Sequence, residues 1–266
     1  MKILRNLAVV VIAVILVITS LVFLLPLKGS IPILMYHYVV PKLQSSLDVS
    51  VEKFEKQMRL IQLLGFKPIS LDEFFAIKTG KKAPRGREIV ITFDDGNETY
   101  VMYALPILER LWFPSANFLI LESVTHQLNG SMGAQTVRET SKNPLVTFGS
   151  HTLTHEVLPM LELDLAREEM VESKLKLEDL VGYEIKYFSY PTGRLSEEIV
   201  DLAEDAGYSL AFTTAEKRAL GMKGSRFAIP RIKVKEEDAL AIFWYKISGI
   251  GSVVSKINRL IEQFHP

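Results

Sequence analysis

The chain has 266 residues, 48% of them hydrophobic and 23% charged, with 31 basic side chains balancing 31 acidic ones. That composition excludes a disordered chain, a collagen-like repeat and a protein drawn by charge onto nucleic acid. The absence of cysteine excludes a disulfide framework and a lipid-modified N-terminal cysteine, so stability must come from a packed core.

In chain order, the first element is apolar. Leu7 to Leu25 runs 19 residues without a charge. As a helix it would reach about 28 Å, close to the roughly 30 Å hydrocarbon thickness of a bilayer. Lys2 and Arg5 precede it and no acidic residue occurs before Asp48, which predicts a cytoplasmic N-terminus and an extracytoplasmic remainder. A cleaved signal peptide is the competing reading and would make the remainder secreted. The run exceeds the usual 7 to 15 or so residues of a signal core, and Ile18-Thr19-Ser20 fits a small-x-small cleavage site poorly. Residues 1–29 are therefore expected to be an anchor with a short linker, and residues 30–266 a single domain with no internal repeat.

Beyond Lys28-Gly29-Ser30, Ile31 to Tyr36 reads as a buried strand ending at His37. Ser50 caps a predicted helix with Val51, Phe54, Met58, Ile61 and Leu64 on one face, and Gly65 stops it. After a loop at Lys81 to Arg87, the run Ile89 to Phe93 is nearly all apolar, as suits a parallel strand covered on both faces. The alternation continues with a helix at Val101 to Leu111 and strands at Ala116 to Leu121 and Leu145 to Phe148. Next come a helix at Leu163 to Val181, a strand at Ile185 to Tyr190, a helix at Glu197 to Ala206 and a strand at Tyr208 to Thr213. The final 30 or so residues read as a helical tail. Alternating strands and helices predict a parallel α/β sheet, open or closed into a barrel, with its chemistry at the carboxyl ends of the strands.

Three polar clusters fall at those ends: Asp94-Asp95-Gly96, His151-Thr152-Leu153-Thr154-His155 and Pro191-Thr192-Gly193. Consecutive carboxylates on a strand face opposite ways, but a turn beginning at Gly96 can bring both to one mouth. Held together there, they repel unless a cation neutralises them. His151 and His155 can meet one ion from successive helical turns or from a tight loop. With one carboxylate they form a His-His-Asp set that leaves positions open for water and substrate. Singly, Asp-Asp-Gly is most often a solvated turn and His-x-x-x-His a surface pair. Both following apolar strands, and holding two of the five histidines, point to a site.

Thr92 to Gly96 and His151 to His155 match, in order and without substitution, the Thr-Phe-Asp-Asp-Gly and His-Ser/Thr-x-Thr-His motifs of the polysaccharide deacetylases, the NodB homology domain of carbohydrate esterase family 4. The chain resembles that family over roughly Ile31 to Val234. The resemblance implies a distorted (β/α) barrel and metal-assisted removal of acetyl groups from N-acetylated sugars, with zinc the expected ion. It also implies Asp94 as general base, Asp95, His151 and His155 as metal ligands, and the Thr192 backbone N–H as an oxyanion donor.

Departures from the pattern accompany the match. Ser189-Tyr190-Pro191-Thr192-Gly193 stands where the family's third motif usually begins with arginine, and Arg231 could replace that arginine from another strand. A surface arginine beside a strand fits the sequence equally well. Neither an Asp-Trp fourth motif nor a late Leu-x-His fifth motif is present. Leu34-Met35-Tyr36-His37 instead resembles the N-terminal motif of a branch acting on poly-N-acetylglucosamine, in which this histidine is the acid that protonates the departing amine. His126 and His265 are assigned no role, the former lying in an expected loop. Trp112, Phe113 and Trp244 could stack on sugars, although core is the commoner fate of such residues.

The expectation is an extracytoplasmic, metal-dependent deacetylase of N-acetylglucosamine-containing polysaccharide. The alternatives are a deacetylase of peptidoglycan or of a small N-acyl compound, and a non-catalytic carbohydrate-binding module at the cell surface.

Overall fold

Short strands alternate with helices along residues 31–214 and 225–249, which the computed structural model describes. The strands are β1 (Ile33–Tyr36), β2 (Tyr38–Val40), β3 (Asp48–Ser50), β4 (Lys67–Pro68), β5 (Glu88–Phe93), β6 (Ser115–Leu119), β7 (Val146–Ser150), β8 (Tyr187–Ser189), β9 (Leu210–Thr213), β10 (Ile229–Pro230) and β11 (Ile232–Lys233). The helices are α1 (Val51–Leu63), α2 (Leu71–Lys78), α3 (Leu105–Leu111, entered through a wide turn at Tyr100–Ala104), α4 (Leu121–His126), α5 (Ala134–Thr140), α6 (Leu163–Val181), α7 (Glu197–Asp205) and α8 (Leu240–Ser248). Ser50, Ser70 and Ser196 cap α1, α2 and α7 by accepting hydrogen bonds from Lys53 N, Glu73 N and Ile199 N.

The main sheet runs β10-β9-β8-β7-β6-β5-β1-β11, with β4 against the foot of β5, and its pairings are parallel. Its two ends are neighbours in sequence, because only Arg231 separates β10 from β11. The five-residue stretch 229–233 therefore lies along both edges of the sheet and joins them into a nearly closed barrel. β2 and β3 form a separate parallel ribbon just past the end of β1.

Strand alternation sorts the side chains. Leu34, Tyr36, Ile89, Ile91, Phe93, Phe148 and Phe188 pack outward, in a core shared with Phe54, Met58 and Ile61 of α1, Ala166, Met170 and Leu177 of α6 and Phe243 and Ile247 of α8. Ile33, Val90, Ala116, Phe118, Tyr187, Leu210, Phe212 and Ile229 fill the interior, and Leu71, Phe74 and Ile77 of α2 close its floor. Gly149 faces this interior: a Cβ there would lie 2.6 Å from the Phe118 ring and 2.8 Å from the Tyr187 carbonyl oxygen. Only glycine lets β7 approach so closely.

The parallel α/β barrel follows the sequence expectation, with strand and helix ends shifted by one or two residues except at α3, which begins four residues later than expected because the wide turn at Tyr100–Ala104 precedes it. Helices α2, α4 and α5 had no periodic signal because each has only six to eight residues. His126 accordingly ends α4 instead of lying in a loop. Phe113 is buried and Trp244 packs partly against the core. Trp112 is not a core residue: it takes a left-handed conformation at the end of α3 (φ 55°) and is 77% exposed. The apolar run 7–25 lies outside the described residues, and among the described ones no helix is long and apolar enough to cross a membrane.

Candidate active site

At the end of β5 the chain leaves extended geometry. Asp94 keeps the strand's inward direction, its N–H donating to the Tyr36 carbonyl at 3.0 Å. Asp95 (φ 71°) and Gly96 (φ 69°) are both left-handed, so the break in alternation starts at Asp95, one residue before the expected glycine. Gly96 is required twice over, because a Cβ would come within 2.7 Å of the Leu119 side chain.

The His151 to His155 pentad is a tight loop, not a helix. Thr152 and His155 are left-handed (φ 70° and 72°), and the Thr152 hydroxyl accepts from His155 N at 2.9 Å. Glu169 on α6 holds the loop from behind: one carboxylate oxygen accepts from Leu153 N and Thr154 N, each at 2.9 Å, and the other from the Thr154 hydroxyl at 2.6 Å. His151 Nδ1 lies 2.7 Å from the Ser189 carbonyl oxygen. A carbonyl can only accept, so Nδ1 carries the hydrogen and Nε2 presents its lone pair.

Asp95, His151 and His155 offer ligand atoms that all lie within 4.8 Å of one another. The Asp95 Oδ1 is 3.7 Å from His151 Nε2 and 3.9 Å from His155 Nε2. Two imidazole nitrogens and one carboxylate oxygen, the three donors the cluster holds among the described residues, fit a divalent transition metal with open positions. Burial first, then the neighbouring His151, lowers the pKa of His155, favouring the neutral imidazole that a cation needs.

Asp94 turns to a different partner. Arg231 grips it in a bidentate pair, Nη1 to Oδ1 at 2.7 Å and Nη2 to Oδ2 at 2.6 Å, with both side chains essentially without solvent exposure. The remaining guanidinium hydrogens go to Thr92 Oγ1 (3.2 Å), Ser189 Oγ (2.8 Å) and the Thr213 carbonyl (3.4 Å). All five donors are thereby occupied, as a buried guanidinium demands. Beneath it lie the rings of Phe118 and Phe212, their centres 5.4 and 6.0 Å away. Ser189 occupies the family's usual arginine position, and its small side chain meets the Arg231 head at that place.

Burial pushes the Asp94 carboxyl up, but Arg231, His151 and His37 together override it and hold it down at about 2. His37 is lowered by burial, while Asp94 and Asp95 pull it back toward protonation. It is thus within electrostatic reach of both carboxylates. Thr192 stands past the end of β8 in a left-handed conformation (φ 57°), and its carbonyl accepts from the Thr214 hydroxyl at 2.9 Å. Its side chain is exposed.

The structure therefore brings Asp94 and Arg231 into one pair, and Asp95, His151 and His155 into one cluster, with His37 within electrostatic reach of Asp94 and Asp95. Sequence reasoning gave no role to the supporting groups Glu169, Thr92 and Tyr38. Thr92 opens the Thr-Phe-Asp-Asp-Gly motif and Tyr38 directly follows His37, whereas Glu169 carried no signal. A cleft of about 210 Å3 opens at the cluster, lined by Tyr38, Asp95, His155, Asn97, Asn129 and Ser131 among others.

Comparison with known proteins agrees with this geometry. The sequence profile of the polysaccharide deacetylases matches residues 81–211, a span holding Asp94, Asp95, His151, His155 and Thr192 but neither His37 nor Arg231. Over 206 residues the chain is 29% identical to YxkH of Bacillus subtilis (strain 168), named for the same family, covering 77% of this chain and 72% of that one. Over 216 residues it is 26% identical to the poly-β-1,6-N-acetyl-D-glucosamine N-deacetylase of Staphylococcus aureus (strain MSSA476), covering 76% and 73%. The solved structure of the Streptococcus pyogenes deacetylase PplD in complex with acetate shares the fold, with a TM-score of 0.76 at 23% identity, covering 82% of this chain and 98% of that one. The chain belongs to the polysaccharide deacetylase family. It is accordingly an enzyme, a hydrolytic deacetylase.

Proposed function

We propose that this enzyme removes N-acetyl groups from an N-acetylglucosamine-containing polysaccharide, with a divalent metal, zinc by preference, held by Asp95, His151 and His155. The observation that carries this reading is the division of labour between adjacent carboxylates: Asp94 is neutralised by Arg231, while Asp95 faces two imidazoles. When bound, such an ion polarises the acetamide carbonyl and makes water a better nucleophile.

Asp94 takes the proton from the attacking water. Arg231 keeps that carboxylate ionised and fixes its orientation through two parallel hydrogen bonds. The Thr192 backbone N–H donates to the oxyanion of the tetrahedral intermediate. His37 delivers a proton to the departing amine. Acetate leaves, and the sugar keeps a free amine that is cationic at neutral pH.

The S. aureus relative's name, together with the His37 motif, favours poly-N-acetylglucosamine as the polymer. The charge-free run 7–25 supports a membrane anchor with residues 30–266 outside the cytoplasm as the catalytic domain. The test is acetate release and product mass analysis on β-1,6- and β-1,4-linked N-acetylglucosamine oligomers, with and without chelator. Chelation should stop hydrolysis and added Zn2+ should restore it. Release that survives both chelation and Asp94→Asn would refute the assignment.

A further inference from the structure

Asp95 brings two oxygens to the cation cluster, and only one is turned to the imidazoles. Both His151 Nε2 and His155 Nε2 face Oδ1. The other oxygen, Oδ2, accepts a 2.7 Å hydrogen bond from the Tyr38 phenol. Tyr38 is itself held in place. It begins β2, pairs with Asp48 across the ribbon, and precedes the fully buried Val39. The Asp48 carboxylate in turn accepts from Gln44 N, Ser45 N and the Ser45 hydroxyl, closing the loop between the two ribbon strands.

We infer that Tyr38 is a positioning residue that restricts Asp95 to a single ligating oxygen, and thereby sets both the affinity and the coordination number of a divalent cation at this site. The inference rests on the metal-site reading above. An unrestrained carboxylate can swing and chelate with both oxygens, filling a coordination position that water or substrate needs. A phenol O–H on Oδ2 competes for that oxygen's lone pairs and fixes the rotation of the carboxylate. The two histidine nitrogens then meet a donor set already formed.

The test uses the full chain, stripped of metal and titrated with Zn2+ against a competing chelator, then with Co2+, whose visible absorption reports coordination number. Tyr38→Phe removes one oxygen atom and leaves the ring. It should weaken Zn2+ binding by about 10- to 100-fold, the range typical of lost hydrogen bonds behind a ligand. It should also shift the Co2+ spectrum toward higher coordination. Tyr38→Met, which fills the half-buried position without a donor, serves the same purpose should the phenylalanine variant not fold.

Unchanged Zn2+ affinity together with an unchanged Co2+ spectrum would overturn the inference. So would a raised KM with intact metal binding, because Tyr38 would then be a wall of the cleft and nothing more. Failure of the wild-type chain to take up Zn2+ at all, or undiminished uptake by Asp95→Ala, would instead remove the metal reading beneath it.

Discussion

The lower and upper halves of the barrel interior are built from the same strands and have opposite chemistry. Below, Ile33, Val90, Phe118, Leu210, Phe212 and Ile229 pack against Phe74 of α2 with no charge among them. One to two pleat repeats higher, Thr92, Asp94, Ser189 and Arg231 fill the same column with a saturated polar network. The boundary is the stack of the Arg231 head on Phe118 and Phe212. Inward-facing residues thus supply stability at one end of a strand and reactivity at the other, and the aromatic layer keeps water from reaching the buried ion pair from below.

Substitutions on either side of that boundary should separate the two roles. The largest expected effect is Asp94→Asn, which should reduce deacetylation by about 10²- to 10⁴-fold, the usual contribution of a general base. Steady-state acetate release measures it. Arg231→Met comes next. It strands a buried carboxylate, so unfolding in denaturant should show a loss of about 3–5 kcal/mol, with turnover falling alongside. Arg231→Lys keeps the charge but loses the fork, and should also lower turnover.

Phe74→Ala sharpens the contrast from below. It should cost about 3–5 kcal/mol of stability while leaving kcat of the folded fraction near wild type. A kcat loss as deep as that of Asp94→Asn would show that floor and mouth are not separable. The smallest effect is Ser189→Ala, which leaves one guanidinium hydrogen without its acceptor, for about 1–3 kcal/mol.

Acidity probes the same pair. Asp94 is held at about 2, below its ordinary 3.8, as Arg231 overrides the opposing effect of burial. The folded state therefore prefers the ionised carboxyl. That stabilisation is complete above the ordinary value and is lost as pH falls through about 2. Thermal unfolding of metal-free protein should show the wild-type midpoint dropping over this interval, with a flatter dependence in Asp94→Asn.

How far the sequence disclosed this arrangement depended on how local each feature was. Asp94, Asp95, His151 and His155 end apolar strands, so their location at one mouth followed from strand periodicity and the parallel topology. Arg231 was legible only as one of two options. Its flanking strands have two residues each and one contains Pro230, too little pattern to reveal that they pair with opposite edges of the sheet. Glu169 reads as one more charge on a long amphipathic helix, and only the packing of α6 against the pentad loop turns it inward. The left-handed Asp95 was also hidden, because an Asp-Asp-Gly turn permits the reversal at more than one residue.

The five residues at the barrel seam tie completion of the fold to readiness for chemistry. Until β10 and β11 reach their respective edges, no guanidinium stands opposite Asp94. Arg231 contributes the strongest pull toward the ionised Asp94 carboxyl, and only the ionised form can take a proton from water. The Asp94–Arg231 pair thus exists only where β10 and β11 both sit on their edges of the sheet, so closure of the barrel and completion of this pair are one event.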